Sequence, residues 1–312
     1  MVYKQSKQIV ILCLVFTGLF LSMQLSFNSI NSVDDYGSVD EVEITVLLDN
    51  YPNGSLQNPW GVSFFIEIEN YTILFDAGIE PDALGNNSLD LGKDINEVDF
   101  VIISHEHADH YYGLEYVAEV NPGLDVYVPN LMLSSIKVAI ANWGFNVVNV
   151  LDTTVLFPGV AIIGQIFGPP YEHALAINVE NVGLVIIVGC SHPGVENIAT
   201  KAVEDLSVEP YLVIGGFHLM GETVNVYETT ASTLLDLGTD YIYPIHCSGD
   251  GIREYIERVY PDNYREGCVG THLVIDQSLA PTASISISSV IVVITFITIP
   301  IFTNWLKRRR IN

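Results

Sequence analysis

Apolar positions in the middle of the chain alternate with polar ones before they take up helical spacing. The early part predicts short strands at residues 43–48, 62–69, 71–75, 100–103, 125–128, 147–151, 160–166, 174–179 and 183–188. Further along, predicted helices at 195–205 and 224–237 alternate with predicted strands at 211–214 and 241–245. Strand-rich halves that are each followed by helices predict an α/β sandwich of two sheets with outer helices.

The amino-terminal end differs from this middle. Lys4 and Lys7 precede an almost wholly apolar run at residues 9–21, and the next charge is Asp34. A short basic segment before an apolar one is typical of a secretory signal peptide or a signal-anchor. We therefore predict such a segment at residues 1–33.

The carboxyl-terminal end has the pattern of a membrane anchor. No charge occurs in residues 277–306, Ile and Val are abundant from 285 onward, and a basic run follows at 307–310. An apolar stretch of about 20 residues with a basic end is typical of a transmembrane helix whose basic side stays cytoplasmic. The predicted order is a globular domain at 34–276, a stalk at 277–284, the membrane helix at 285–306 and a cytoplasmic tail at 307–312. The domain is expected outside the cell membrane, held by this single crossing.

Charge narrows the choice of partners. The chain has 37 acidic and 12 basic residues, with a net charge of −25. Six of the basic residues lie in the two ends, so the predicted domain combines the other six with all of the acids. Such a surface repels phosphate backbones, which argues against nucleic acid and leaves a small-molecule substrate as the expected partner.

The densest chemical signal is the segment 104–110, Ser-His-Glu-His-Ala-Asp-His, directly after a predicted apolar strand. Alternation places the side chains of His105 and His107 on one side of the chain. Asp109 and His110 begin the next turn, so their side chains face in a second direction. Imidazole and carboxylate ligands on a short loop suit zinc or iron. A structural zinc site has four protein ligands, usually several of them cysteines, and no open coordination position. This segment has histidine and carboxylate ligands but no cysteine, which favours a catalytic site with an open position.

The His-x-His-x-Asp-His pattern after an apolar strand resembles the metallo-β-lactamase superfamily, and so does Leu-Phe-Asp-Ala-Gly around Asp76. Four further segments, at 48–50, 189–194, 215–219 and 244–249, resemble one branch of it. That branch is named for 7,8-dihydropterin-6-methyl-4-(β-D-ribofuranosyl)aminobenzene-5'-phosphate synthase. The likeness spans about residues 43–275 and implies a four-layer αββα sandwich with a catalytic metal site.

The resemblance also implies a set of ligands for two divalent metal ions. Zinc is the first choice for these ions, and iron and manganese are the alternatives. Three ligands belong to the first ion and three to the second: His105, His107 and His192, then Asp109, His110 and His246.

Two points of this assignment stay open. Gly-Cys at 189–190 stands where the superfamily usually has Gly-Asp, whose Asp bridges both metals. Cys190 either bridges as a thiolate, since metals deprotonate coordinating thiols, or is a small buried residue at a site that is mononuclear or water-bridged. His173 precedes a predicted hairpin and competes with His192 for the first metal, although the Gly-Cys-Ser-His context favours His192.

The expected activity is metal-dependent hydrolysis of an ester, lactone, amide or phosphoester by a metal-activated water. In this interpretation Asp109 holds the second metal and receives the proton of the nucleophile, while His218 contacts the leaving group or a substrate oxygen. The alternatives are a transferase like the synthase of the branch, an iron-dependent redox enzyme and a metal-binding protein without catalysis. The predicted external location disfavours the synthase, whose substrates are intracellular.

Overall fold

Two β-sheets face each other in residues 36–279, the part of the chain that the computed structural model describes. The first sheet contains β1 (Glu41–Leu48), β2 (Ser63–Ile68), β3 (Tyr71–Phe75), β4 (Phe100–Ile102), β5 (Asp125–Pro129), β6 (Asn146–Val150) and β13 (His272–Asp276). Its order is β13-β1-β2-β3-β4-β5-β6. Pairing is antiparallel from β13 to β3 and parallel from β3 to β6.

The second sheet also consists of a parallel part and an antiparallel part. It contains β7 (Thr154–Phe157), β8 (Val160–Phe167), β9 (Tyr171–Val179), β10 (Gly183–Val188), β11 (Pro210–Gly216) and β12 (Tyr241–Ile245). The order is β12-β11-β10-β9-β8-β7. The strands β10, β11 and β12 pair in parallel, whereas β7 to β10 pair antiparallel.

The principal core lies between the sheets. Phe64 and Phe75 of the first sheet and Ile162, Leu175 and Ile187 of the second belong to one buried cluster. Alternate positions along these strands face this core and the outer helices, so both faces of each sheet are covered. This is why the strands read as nearly continuous apolar runs in the sequence.

Helices cover the outer face of each sheet. Those on the first sheet are α1 (Pro81–Asp90), α2 (Ala108–Tyr111), α3 (Leu114–Val120) and α4 (Ser134–Asn142). Those on the second sheet are α5 (Val195–Leu206), α6 (Val224–Asp236) and α7 (Asp250–Val259). Leu84 of α1 shares a buried cluster with Leu74, and Ala199 of α5 shares another with Ile186. The layers therefore run helix, sheet, sheet, helix, and the two-sheet α/β prediction is confirmed.

The predicted elements of the domain are all present, with shifted ends. The hairpin predicted at 62–69 and 71–75 is β2 and β3, and the predicted helices are α5 and α6. The largest shift is at β9, which begins at Tyr171 and not at 174, so that Glu172 and His173 are strand residues. Within residues 36–279, no helix has both the length and the apolarity that a membrane crossing requires. The predicted signal segment at 1–33 and membrane helix at 285–306 lie outside the described residues.

Candidate metal centre

The candidate ligands follow the carboxyl ends of strands that run in the same direction. Asp76 follows β3 and the 105–110 segment follows β4, while Cys190, His218 and His246 follow β10, β11 and β12. Parallel strands end at one edge of a sheet, and α/β folds place their sites at that edge. Here the edges of both sheets meet, so five loops contribute to a single site.

One group of possible ligand atoms contains Asp109, His110, Cys190 and His246, all within 4.8 Å of one another. The Cys190 sulfur lies 3.1 Å from His110 Nε2 and 3.4 Å from His246 Nε2. Asp109 Oδ2 lies 3.7 Å from His110 Nε2 and 3.5 Å from His246 Nε2. The residues predicted for the second metal are therefore together.

A second group contains His105, Cys190 and His192, again within 4.8 Å. His107 adjoins it, because its Nδ1 lies 3.1 Å from His105 Nε2 and its ring centroid lies 4.8 Å from that of His192. Cys190 is common to both groups. The structure thus brings together all seven residues predicted as metal ligands.

In four of the histidines, the ring nitrogen Nδ1 forms a hydrogen bond with a neighbouring side chain. His105 Nδ1 is hydrogen-bonded to Ser104 Oγ at 2.9 Å, and His110 Nδ1 to Asp76 Oδ2 at 2.6 Å. His192 Nδ1 is hydrogen-bonded to Glu172 Oε2 at 2.9 Å, and His246 Nδ1 to Asn50 Oδ1 at 3.0 Å. Such partners orient imidazole ligands and leave Nε2 for the metal. Imidazole, carboxylate and thiol donors that converge in this way fit a divalent ion such as zinc or iron.

Asp76 is a fully buried carboxylate beneath the first ligand loop. It accepts hydrogen bonds from the Ser104 backbone N–H and hydroxyl, both at 2.7 Å. Burial raises the pKa of Asp76. Burial also works to lower the pKa of His110, but the charge and hydrogen bond of Asp76 outweigh it and raise that pKa to about 9. Asp76 therefore positions His110 and the start of the ligand loop.

Glu172 is the buried site residue that sequence reasoning missed. Its carboxylate accepts the backbone N–H groups of Cys190 and Ser191 at 2.8 Å and that of His192 at 2.9 Å, besides the His192 ring. Burial alone would raise the pKa of Glu172, but these hydrogen bonds and the His192 charge lower it. The one signal in the sequence was a charged residue at the start of an apolar run. Its pairing partner was not visible there.

Asp49 and Asn50, which follow β1, form hydrogen bonds with the loop that carries His246. Asp49 Oδ1 accepts the His246 backbone N–H at 2.9 Å, and Asn50 Nδ2 donates to the His246 carbonyl at 3.2 Å. Burial raises the pKa of Asp49 to about 6. His246 has a left-handed backbone, with φ of 52°, which is a costly conformation for a residue with a side chain. These hydrogen bonds help to hold it.

The Asn50→Leu variant should bind the second metal ion about 10–100-fold more weakly, because loss of an orienting partner typically costs this much. Competition with a chromogenic chelator measures the affinity. Asn142→Leu, at the exposed end of α4, is the matched control and should bind both ions like wild type. Equal affinities in the Asn50→Leu variant and the wild type would show that Asn50 does not orient His246.

Of the two remaining predicted residues, His218 belongs to a group of possible ligand atoms, whereas His173 belongs to none within the described residues. His218 is exposed, its ring centroid lies 4.4 Å from that of His192, and it forms a group with Cys190 and Cys247. His173 is buried beside Glu172 on β9, and neighbouring strand residues point to opposite faces. Within the described residues, neither ring nitrogen of His173 has a hydrogen-bond partner. The geometry thus favours His192 at the first metal.

A two-sheet α/β sandwich with histidine, carboxylate and thiol donors at the shared sheet edge defines a class of metal-binding, hydrolase-like folds. The chain belongs to the metallo-beta-lactamase superfamily, whose pattern matches residues 61–246. This confirms the superfamily resemblance.

The comparisons with individual proteins agree with this assignment. The chain is 28% identical to 7,8-dihydropterin-6-methyl-4-(beta-D-ribofuranosyl)-aminobenzene-5'-phosphate synthase of Methanocaldococcus jannaschii, over 68% of this chain and 90% of the relative. The structure of Tm1679, a metal-dependent hydrolase of the beta-lactamase superfamily, is similar with a TM-score of 0.66 and 22% identity. That match covers 76% of this chain and 100% of Tm1679. A diphosphatase of the PhnP family is similar with a TM-score of 0.53 and 17% identity, over 76% and 98% of the two chains.

Proposed function

We propose that the protein is a metal-dependent hydrolase of an ester, lactone, amide or phosphoester, and that two divalent ions serve the reaction. The observation that supports it is an asymmetry of exposure within the ligand cluster. His105, His110 and His246 are buried, whereas His107 and His218 are exposed and Asp109 is partly so. A closed structural site would bury every ligand, while this one has an open side for a substrate.

The chemistry divides between the ions and the side chains. Bound divalent ions would lower the pKa of water towards neutrality and polarise the substrate's electrophilic centre. Burial alone would raise the pKa of Asp109, but the hydrogen bond from His246 and the charges of His110 and His246 lower it well below its usual value. Asp109 is thus an ionised ligand and a weak base, so its role as ligand is the larger one.

His218 is the residue that we assign to the leaving group. Its exposed ring lies beside His192 and outside the buried ligand layer. A substrate whose carbonyl or phosphoryl group lies over the cluster would have its leaving oxygen on this side. His218 can donate a hydrogen bond to that oxygen as it departs.

We also propose that the domain lies outside the cell membrane and is anchored to it. The support is compositional, from the basic and apolar segment at 1–33 and the uncharged stretch at 277–306 with its basic end.

A transferase reaction is the second candidate, because a synthase is similar over most of its own length. The two activities require the same ligands but differ in what attacks the substrate. A hydrolase uses water, and a transferase uses a second organic substrate. Iron found in the purified protein would direct attention to redox chemistry as well.

The test is metal analysis of the full-length protein, followed by assays with carboxylic ester, lactone, lactam and phosphodiester reporters. We expect two equivalents of metal, turnover of at least one reporter, loss of turnover after chelation and its return with added zinc. Two bound equivalents with no turnover in zinc, iron or manganese would overturn hydrolysis and favour the transferase.

A further inference from the structure

Exposed apolar side chains lie on segments that adjoin the ligand loops of the candidate metal centre. Trp60, Leu133, Phe167 and Met220 are between 46% and 60% exposed; Phe167 ends β8, and the other three come from three different loops. Soluble proteins rarely gather large apolar side chains around one opening unless something binds there. We call these four residues the apolar rim.

Two members of the rim adjoin the first sheet's side of the site. The Trp60 ring centroid lies 5.1 Å from that of the ligand candidate His246. The Leu133 backbone N–H donates to the carboxylate of Glu106 at 2.6 Å, and Glu106 lies between His105 and His107 in the ligand loop.

The other two members adjoin the second sheet's side. Phe167 precedes Gly168, which packs so closely on the backbone of His192 and Pro193 that no side chain would fit there. Met220 follows His218 by two residues, and its Cα would lie 2.8 Å from a Cβ placed at Gly249, beside the His246 turn. The rim therefore borders the ligand loops from both sheets.

The basic side chains of the described residues have partners elsewhere. Lys93 pairs with Glu67, Lys201 pairs with Asp205, and Lys137 donates hydrogen bonds to Asn130 and Asn149. Arg253 donates to the carbonyl groups of Pro244 and Gly267. Arg258 lies over the ring of Tyr255, and Arg265 lies over the ring of Tyr241. Phosphate groups are usually recognised by arginine or lysine, often in bidentate geometry. A substrate with a terminal phosphate would meet acidic and apolar side chains at this opening instead.

We propose that the substrate is a neutral ester or lactone with an apolar chain, which lies on the apolar rim while its carbonyl group faces the metal ligands. This inference rests on the proposed hydrolase function and narrows it. Complete burial of one methylene favours binding by about fourfold. On a rim that is about half exposed, we expect about half of that free energy, or about twofold for each methylene.

The experiment compares kcat/KM of the full-length, zinc-loaded protein for p-nitrophenyl esters from acetate to octanoate, and for bis(p-nitrophenyl) phosphate. We expect kcat/KM to rise about 60-fold from acetyl to octanoyl, with the phosphodiester slower than either. Phe167→Ser and Met220→Ser should each reduce the octanoyl-to-acetyl ratio about fivefold. Leu89→Ser, which removes an even more exposed apolar side chain from α1, should leave the ratio unchanged.

The outcomes separate the inference from the function on which it rests. Ester hydrolysis without a rise along the series, or a preference for the phosphodiester, overturns the apolar substrate and keeps the hydrolase. If nothing is hydrolysed, calorimetry with decanoate and acetate decides. Tighter binding of decanoate that Phe167→Ser weakens supports the rim and rejects only hydrolysis, whereas equal binding rejects both.

Discussion

The Asp109→Ala protein should retain one equivalent of metal less than wild type and hydrolyse its substrate about 10³-fold more slowly. Asp109 is the carboxylate in the group that also contains His110, Cys190 and His246, and its Oδ2 lies within 3.7 Å of both histidines. Without it, two imidazoles and the Cys190 thiol would be left to hold the second ion, with no carboxylate among the donors of this group. Mass spectrometry of the bound metal and steady-state kinetics at saturating zinc measure the two effects.

Asp90→Ala, at the exposed end of α1, is the control and should keep both metal equivalents and full activity. Excess zinc should not restore Asp109→Ala to the wild-type rate, because the ion would return to an incomplete set of ligands. An Asp109→Ala protein with one ion and an undiminished rate would show that a single metal supports the reaction. The group of Asp109, His110, Cys190 and His246 would then have no catalytic role.

The ligand cluster was open to prediction because four of its residues are local in sequence and the others follow apolar strands. Three histidines and an aspartate within 105–110 are a strong chemical signal by themselves. His192 and His246 each follow an apolar strand, and parallel strands end at one edge. The prediction needed only that the strands pair in parallel, which β10, β11 and β12 do.

The residues that orient these ligands could not be found in the same way. Glu172 and His192 are 20 positions apart, and they meet because β9 and β10 form an antiparallel pair. Asn50 and His246 are separated by 196 positions and lie at the ends of strands in different sheets. No local pattern encodes such contacts, because they depend on the register and on the packing of the two sheets.

Three of the unpredicted elements, α1, α7 and β7, differ in how strongly the sequence indicates them. The helix α1 contains Gly85 and two asparagines, which weaken its local preference, and it is held by packing of Leu84 into the outer cluster. In α7 the buried residues Ile252, Tyr255 and Ile256 follow helical spacing, so the sequence does carry the signal of this helix. The four-residue strand β7 lies at the sheet edge and pairs with β8 alone among the described strands, which leaves it a weak pattern.

Removal of the Glu172 carboxylate should have the largest effect on stability. Glu172→Ala leaves three backbone N–H groups, those of the buried Cys190 and Ser191 and of the partly buried His192, without their acceptor. An unsatisfied buried donor costs about 1–3 kcal/mol, so we expect a loss of at least about 3 kcal/mol. Folded proteins are stable by about 5–15 kcal/mol, and the variant should therefore have a much lower urea midpoint or be insoluble.

Glu172→Gln distinguishes the role in positioning from the role in folding. The amide keeps the shape and one acceptor oxygen, so we expect a soluble protein that has lost about 1–3 kcal/mol. Its amide nitrogen must face donors, which should loosen the 190–192 loop and weaken the first metal site about 10–100-fold. Glu254→Gln, on the exposed side of α7, is the matched control and should change neither the urea midpoint nor the chelator competition. Wild-type metal affinity in a destabilised Glu172→Gln protein would mean that Glu172 supports the fold without orienting His192.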